Sequence, residues 1–210
     1  MSIDLQRTLE DFWTARSHGE YLPPAYFDRL SLDEAYRIQL ALIERRCAAG
    51  ELIRPGFETE LCVRLGRPLV GEVSLEAVRA AVAAVHPSFE ITETRGDPAQ
   101  IALMVADNAQ QRSVILGEPM ALTPTLQLDQ IEARVELNGH VVATGVGAAV
   151  LDHPLNSVAW LARKLGEYGR SLRAGEVVMT GSLVRQFPLA AGDHARASFS
   201  GIGTVEVRVA

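Results

Sequence analysis

The sequence predicts an α+β fold, with N-terminal helices followed by a mostly β body. Three observations predict it. Apolar residues in the first quarter recur at helical spacing; from Phe57 the period switches to two; and Asn138-Gly139 marks a hairpin in a strand-rich second half. The 210 residues are 48% hydrophobic and 22% charged, enough for one compact unit with an ample core. Within it the chain divides into a helical region, 1–51, and a β-rich domain, 52–210.

The elements follow in order. Leu5, Leu9, Phe12 and Trp13 form a helical stripe that ends near Gly19. Ser31 and Glu34 form a capping box for a second helix whose buried side is Leu32, Ala35, Tyr36, Ala41 and Ile43, with Gly50 as its stop. Phe57, Thr59, Leu61, Val63 and Leu65 then alternate with Glu58, Glu60, Cys62 and Arg64, the pattern of a strand. Ser74 caps a helix that runs to Pro87, and "SFEITET" is the next strand. A polar turn at Asp107-Asn108 precedes another. The Asn138-Gly139 pair supplies the two positive-φ positions of a type I′ turn. Residues 153–169 read as an amphipathic helix capped by Asp152, and three closing strands end the chain.

Charge and composition narrow the partners. The net charge is −6 with no run of Lys or Arg, which argues against nucleic acid. No apolar run is long enough to span a membrane, and the first residues are too polar for a signal peptide. Two cysteines, Cys47 and Cys62, make no disulfide framework. The expectation is a cytoplasmic protein. Lys164 is the only lysine, so 19 of the 20 basic residues are arginine.

Strand alternation puts Glu58 and Glu60 on one face. Glu90 has the same phase in the next strand, between Phe89 and Ile91. With the two strands adjacent, three carboxylates converge, and each pair about 5 Å apart repels by about 3 kcal/mol at an effective dielectric near 20. A cation, a shared proton, nearby arginines or open water could offset this. Cys62 is the only His or Cys read as being in phase. An all-carboxylate set favours a hard divalent ion over zinc.

Six segments in order, "AYRIQLALIERRCAAGE", "RPGFETEL", "HPSFEITETRGD", "VADNA", "HPLNSVAWLARKLGEYGRSLRAGEVVMTGSL" and "AAGDHARASFSGIGTVEV", carry a resemblance over nearly the whole chain. They resemble the 2-oxopent-4-enoate hydratase and 4-oxalocrotonate decarboxylase family of the fumarylacetoacetate hydrolase superfamily. The resemblance implies that fold, and Mg²⁺ or Mn²⁺ on Glu58, Glu60 and Glu90. It implies a small 2-oxo or 2-hydroxy-dienoic acid as substrate, which a bound metal polarises as an enolate forms. Asp107, Asn108 and Gln110 would be catalytic, touching substrate or water. Thr180, Gly181 and Ser182, whose family counterparts line the substrate pocket, would bind substrate; Arg95, which follows the third glutamate, would meet a substrate carboxylate, balance the glutamates or form an ordinary ion pair. A homo-oligomer, associated with a related pathway enzyme, is also implied.

Three departures stand against the family pattern. A stretch bearing a G-x-K-x-G-x-T motif, whose lysine is the family's acid/base, has no counterpart between Gly50 and the E-x-E strand. The continuous numbering favours a deletion over residues omitted from the sequence. Gln110 stands where the family has serine after "VADNA", and Asp152 where it has glycine. The implied function is therefore a metal-dependent hydratase or decarboxylase. The alternative is a reduced or repurposed homologue without the family lysine: a binding or partner subunit, or an isomerising or cyclising enzyme.

Overall fold

A computed structural model describes residues 4–20, 22–45, 54–97 and 99–209. The elements are α1 (Leu5–Ser17), α2 (Leu32–Arg45), β1 (Pro55–Leu65), α3 (Leu75–Ala81), β2 (Val82–Glu93), α4 (Ile101–Ala106) and β3 (Gln111–Leu116). Then come β4 (Glu132–Leu137), β5 (His140–Val146), α5 (Pro154–Glu167), β6 (Val177–Ser182), β7 (Phe187–Pro188), β8 (His194–Phe199) and β9 (Gly203–Arg208). The mixture of early helices and a β body is the α+β class that the patterning predicts.

The chain forms two compact units, and the division is discontinuous. The smaller comprises Met1–Gly56 and Thr92–Arg112, the larger Phe57–Ile91 and Ser113–Ala210. The sequence reading divides the chain at residue 51; in the structure α4 and the turn after it group with the N-terminal helices. The reason is apolar contact between distant residues. Phe12, Leu22, Ala35, Ile38 and Leu42 share a core with Leu103 and Ala106.

In the smaller unit α1 is capped by Asp4, whose side chain accepts from the Arg7 amide. The Ser31–Glu34 capping box forms as expected: Ser31 N–H donates to Glu34 Oε2 at 3.0 Å and Glu34 N–H to Ser31 Oγ at 3.3 Å. The buried stripe of α2 is Ala35, Ile38 and Leu42. Leu32 and Leu5, expected inside, are 51% and 36% exposed, because each sits at the first turn of its helix, ahead of the packed stripe. The expected helix stop at Gly50, and the junction where the family lysine stretch would fall, lie outside the described residues.

The larger unit has two sheets. One has the order β3-β2-β1-β6, with β7 also paired to β1; the other has the order β5-β4-β8-β9. They share one core, in which Phe57, Leu61, Val63 and Leu65 of β1 meet Phe89 of β2, Val135 of β4, Ala195 and Ala197 of β8 and Leu155 and Val158 of α5. Phe57 packs edge-on to Phe89 at 4.9 Å between centroids. Each such side chain, fully buried, contributes roughly 1.5–3 kcal/mol. The β4–β5 hairpin turns at Asn138 and Gly139, with φ of 52° and 80°, as a type I′ turn requires.

Two sequence expectations fail here. The helix after Ser74 stops at Ala81, and Val82–Pro87, expected to be helical, is strand. Cross-strand pairing overrides the alanine-rich propensity: Gly66 N–H donates to Ala81 O at 2.7 Å, and Val85 exchanges two 2.8 Å bonds with Met120. Pro87 is tolerated inside the sheet because Gly117 lies beside it; a Cβ on Gly117 would come 2.8 Å from Pro87 Cγ. The cap of α5 is His153, not Asp152: Nδ1 of His153 accepts from Leu155 N–H at 3.1 Å, with Pro154 at the first helical position. Among the described residues, no helix is long and apolar enough to cross a membrane.

Candidate metal centre

Glu58 and Glu60 project from β1 and Glu90 from β2, on neighbouring strands of one sheet. One ligand atom from each carboxylate lies within 4.8 Å of the others. Ser88 Oγ, two residues before Glu90, donates to Glu60 O at 2.8 Å, which ties the two strands together beside the cluster. Glu60 is 1% exposed, while Glu58 and Glu90 are half-buried.

The next strand holds Glu60 in place. Across the β1–β6 pair Glu60 faces Ser182 and Cys62 faces Met179, so two residues, Thr180 and Gly181, oppose Leu61. This is a β-bulge. Thr180 Oγ1 donates to Leu61 O at 2.8 Å, and Gly181 N–H donates to Glu60 Oε2 at 2.7 Å. Ser182 Oγ accepts from Thr59 N–H at 3.2 Å and donates to Val184 O at 2.7 Å. The hydroxyls of Thr180 and Ser182 and the N–H of Gly181, in residues expected to meet substrate, are each bonded to other parts of the protein.

Burial dominates the electrostatics. It pushes the Glu60 carboxyl up to about 8, aided by the charges of Glu90 and Glu58 and opposed by the Gly181 N–H. Glu90 is pushed up to about 7 by burial and then by Glu58. Glu58 is raised by burial. Near neutral pH the cluster therefore retains protons unless a cation replaces them. The donor set is three oxygens, which suits a hard divalent ion. Cys62 shares their face but lies outside the three-carboxylate group, and burial, with Glu60 adding to it, pushes its thiol up to about 12.

Sequence reasoning missed His86. With Val82–Pro87 extended, His86, Ser88 and Glu90 share one face of β2, so Cys62 is not the only residue of its kind in phase. His86 Nδ1 donates to Gly117 O at 2.9 Å, and Nε2 is buried with no partner. Its even spacing from Glu90 was the available signal, and the helical reading of 74–87 hid it.

The other expected site residues belong to the smaller unit. Arg95 has a fully buried side chain that meets Glu93 at 2.7 Å and Asp107 at 2.5 Å. Asp107 also takes Arg16 at 2.6 Å. Asn108 Oδ1 accepts from Gln39 at 3.0 Å and its Nδ2 donates to Gln111 at 2.9 Å. Asn108, Ala109 and Gln110 follow one another with φ of 59°, 49° and 64°, an uncommon run for residues with side chains. Gln110 is buried, and its Nε2 has no partner.

Two packed sheets carrying an E-x-E strand beside a third glutamate define the class. Residues 37–210 match the fumarylacetoacetate (FAA) hydrolase C-terminal family, and the chain belongs to it. Within that family it is similar to 4-oxalocrotonate decarboxylase of Pseudomonas putida, 39% identical over 161 residues, covering 75% of this chain and 61% of the relative. It is also similar to 2-hydroxyhexa-2,4-dienoate hydratase of Comamonas testosteroni, 38% identical over 164 residues, covering 77% and 62%. The chain spans about three fifths of the length of these curated relatives. The fold matches 4-oxalocrotonate decarboxylase from Pseudomonas putida G7, solved with magnesium and adipate, with a TM-score of 0.90, 26% identity and coverage of 100% of this chain and 99% of that one. A structure of the same enzyme with calcium and acetate matches with a TM-score of 0.86 at 28% identity, covering 98% and 97%.

Proposed function

We propose that the protein is a divalent-metal-dependent lyase, of the hydratase or decarboxylase type, acting on a small 2-oxo or 2-hydroxy-dienoic acid. The observation that carries this reading is the convergence of Glu58, Glu60 and Glu90 within 4.8 Å, in a fold shared with enzymes of that chemistry. The three carboxylates would hold Mg²⁺ or Mn²⁺. Such an ion, when bound, supplies positive charge to the carboxylate and 2-oxygen of an oxo acid and so stabilises charge that develops there.

The chain's own residues divide the remaining tasks. Glu60 is aimed by the Gly181 N–H. Asp107 is oriented by two guanidinium groups, and in this reading it orders substrate or water with Asn108 and Gln110. The buried, unpartnered Nε2 of Gln110 supports a role as a donor to substrate oxygen. Arg95 would support Asp107, and Thr180, Gly181 and Ser182 would shape the sheet beneath the carboxylates rather than grip substrate. A homo-oligomer, with a related pathway enzyme as a further partner, completes the reading; light scattering on the purified chain tests the first part.

A second reading is favoured by one observation. Lys164, the chain's only lysine, is paired with Glu167 at 2.8 Å on α5. Proton transfer would then fall to other groups, or the protein would run a different reaction such as isomerisation or cyclisation, or serve as a binding or partner subunit.

Turnover separates the two. Purified protein with Mg²⁺ or Mn²⁺ and 2-hydroxypenta-2,4-dienoate is expected to consume the dienol absorbance, and the Glu58→Ala/Glu60→Ala double variant is not. Equal rates for both would reject the metal-lyase reading.

A further inference from the structure

The bulge in β6 is built around a glycine whose amide leaves the ladder. Gly181 has φ of +110°, a conformation that side-chain-bearing residues rarely adopt, and a Cβ there would come 3.3 Å from Val150 Cγ1. The extra residue opposite Leu61 frees the Gly181 N–H from strand pairing and sends it to Glu60 Oε2, 2.7 Å away. Thr180 Oγ1 on Leu61 O, at 2.8 Å, anchors the bulge from the other side. One oxygen of the most buried carboxylate in the cluster is thus bonded to backbone.

We propose that Gly181 is a positioning residue that sets the ion preference of the cluster. By holding Oε2 of Glu60 it keeps this carboxylate to one-oxygen ligation and favours a small six-coordinate cation over calcium. The inference rests on the metal reading above and adds to it what a bulged glycine does there. Calcium takes six to eight oxygens and commonly draws both oxygens of a carboxylate; magnesium takes six at short range and keeps several waters. A Glu60 with one oxygen committed to an N–H lowers the oxygen count available from protein. A partner outside the ligand set that fixes a ligand's orientation typically changes metal affinity by about 10- to 100-fold when it is lost.

The test is calorimetric titration of the metal-stripped full chain with MgCl₂, MnCl₂ and CaCl₂ separately, for the wild type and Gly181→Ala. The wild type is expected to bind magnesium and manganese more tightly than calcium. Gly181→Ala is expected to lose about 10-fold or more in magnesium affinity while calcium changes little, moving the ratio toward calcium. Loss of packing alone would weaken both ions together. A crystal structure of the wild type soaked with Mn²⁺ gives a second measurement, which decides the matter where Gly181→Ala does not fold. There Glu60 is expected to ligate through Oε1 only, with Oε2 still on Gly181 N–H. Ligation through both oxygens, or an unchanged magnesium-to-calcium ratio in folded Gly181→Ala, overturns the proposal and leaves the metal reading standing. Failure of the wild type to bind any of the three ions overturns both.

Discussion

Arg95 and Asp107 meet at 2.5 Å with 0% and 1% of their side chains exposed. Arg95 is also bonded to Glu93, and Asp107 to the partly exposed Arg16, so the smaller unit carries a connected set of charges in which Glu93, Arg95 and Asp107 are buried. Removing one member strands another away from water, which costs more than the pair itself contributes. Arg95→Met is expected to lower the unfolding free energy by about 3–5 kcal/mol. Urea denaturation at neutral pH measures it, and a loss below about 1 kcal/mol would show that the pair behaves like a surface one.

Stability of the metal-free protein is expected to depend on pH through the carboxylate cluster. Glu60 and Glu90 are raised in the folded state from 4.5 to about 8 and about 7. The folded chain therefore binds more protons than the unfolded one. The stability this contributes is fully present below about pH 4.5 and is lost as pH rises through 7 and 8. The melting temperature of chelator-treated protein should fall across that window. Glu60→Gln, whose amide oxygen can still accept the Gly181 N–H, should flatten the fall, and an identical slope in that variant would reject the assignment.

Added divalent ion should act in the opposite sense. At pH 8, millimolar Mg²⁺ or Mn²⁺ is expected to raise the melting temperature of the wild type, since binding to the folded state alone stabilises it. The Glu58→Ala/Glu60→Ala variant should show no such rise. A rise of equal size in both would place the ion elsewhere.

The cap on α5 titrates separately. His153 accepts the Leu155 N–H through Nδ1, so it caps only when neutral. Its value is lowered from 6.5, by burial first and then with Arg79 contributing. The stability it adds is present above about pH 6.5 and is lost as pH falls through the lowered value. His153→Ala should cost about 1 kcal/mol at pH 8 and less at pH 5, whereas His153→Asn should keep most of the cap at both. Chemical denaturation at the two pH values checks this.

Gly147 tests the packing of the larger unit. A Cβ there would lie 1.8 Å from the carbonyl oxygen of Leu128, which is backbone and cannot swing aside. Gly147→Ala is expected to lower stability by about 3 kcal/mol, seen as a lower urea midpoint. A stable, soluble variant with an unchanged midpoint would contradict this contact.

Much of the fold is readable in residue order because its signals are local. The Ser31–Glu34 box, the Asn138-Gly139 turn and the alternation from Phe57 to Leu65 each depend on neighbours a few residues apart. The same alternation puts Glu58 and Glu60 on one face, and Phe89 and Ile91 on either side give Glu90 the matching phase in its own strand. Where the reading failed, distant residues decide. Val82–Pro87 is alanine-rich and local preference makes it helix, but Gly66 bonds Ala81 just before it, Met120 bonds Val85 within it and Gly117 bonds Pro87 at its end, and these draw it into the sheet. That error concealed His86. Residue type favours Asp152 as the cap of α5, but the helix begins at Pro154, so His153 holds the cap position and its side chain accepts from Leu155 N–H.

Strand phase is a property of consecutive residues, so the sequence was sufficient to put the two glutamates of "GFETEL" on one face and Glu90 in matching phase. It could not show that β2 lies beside β1, that a bulge in β6 opposes Leu61, or that Gly181 N–H reaches Glu60. Those relations join residues 28 to 121 positions apart, and they form only when burial of the shared core holds the strands in register. The carboxylates are set by composition and period; their proton retention, and the one oxygen of Glu60 given to backbone, are set by what packs around them.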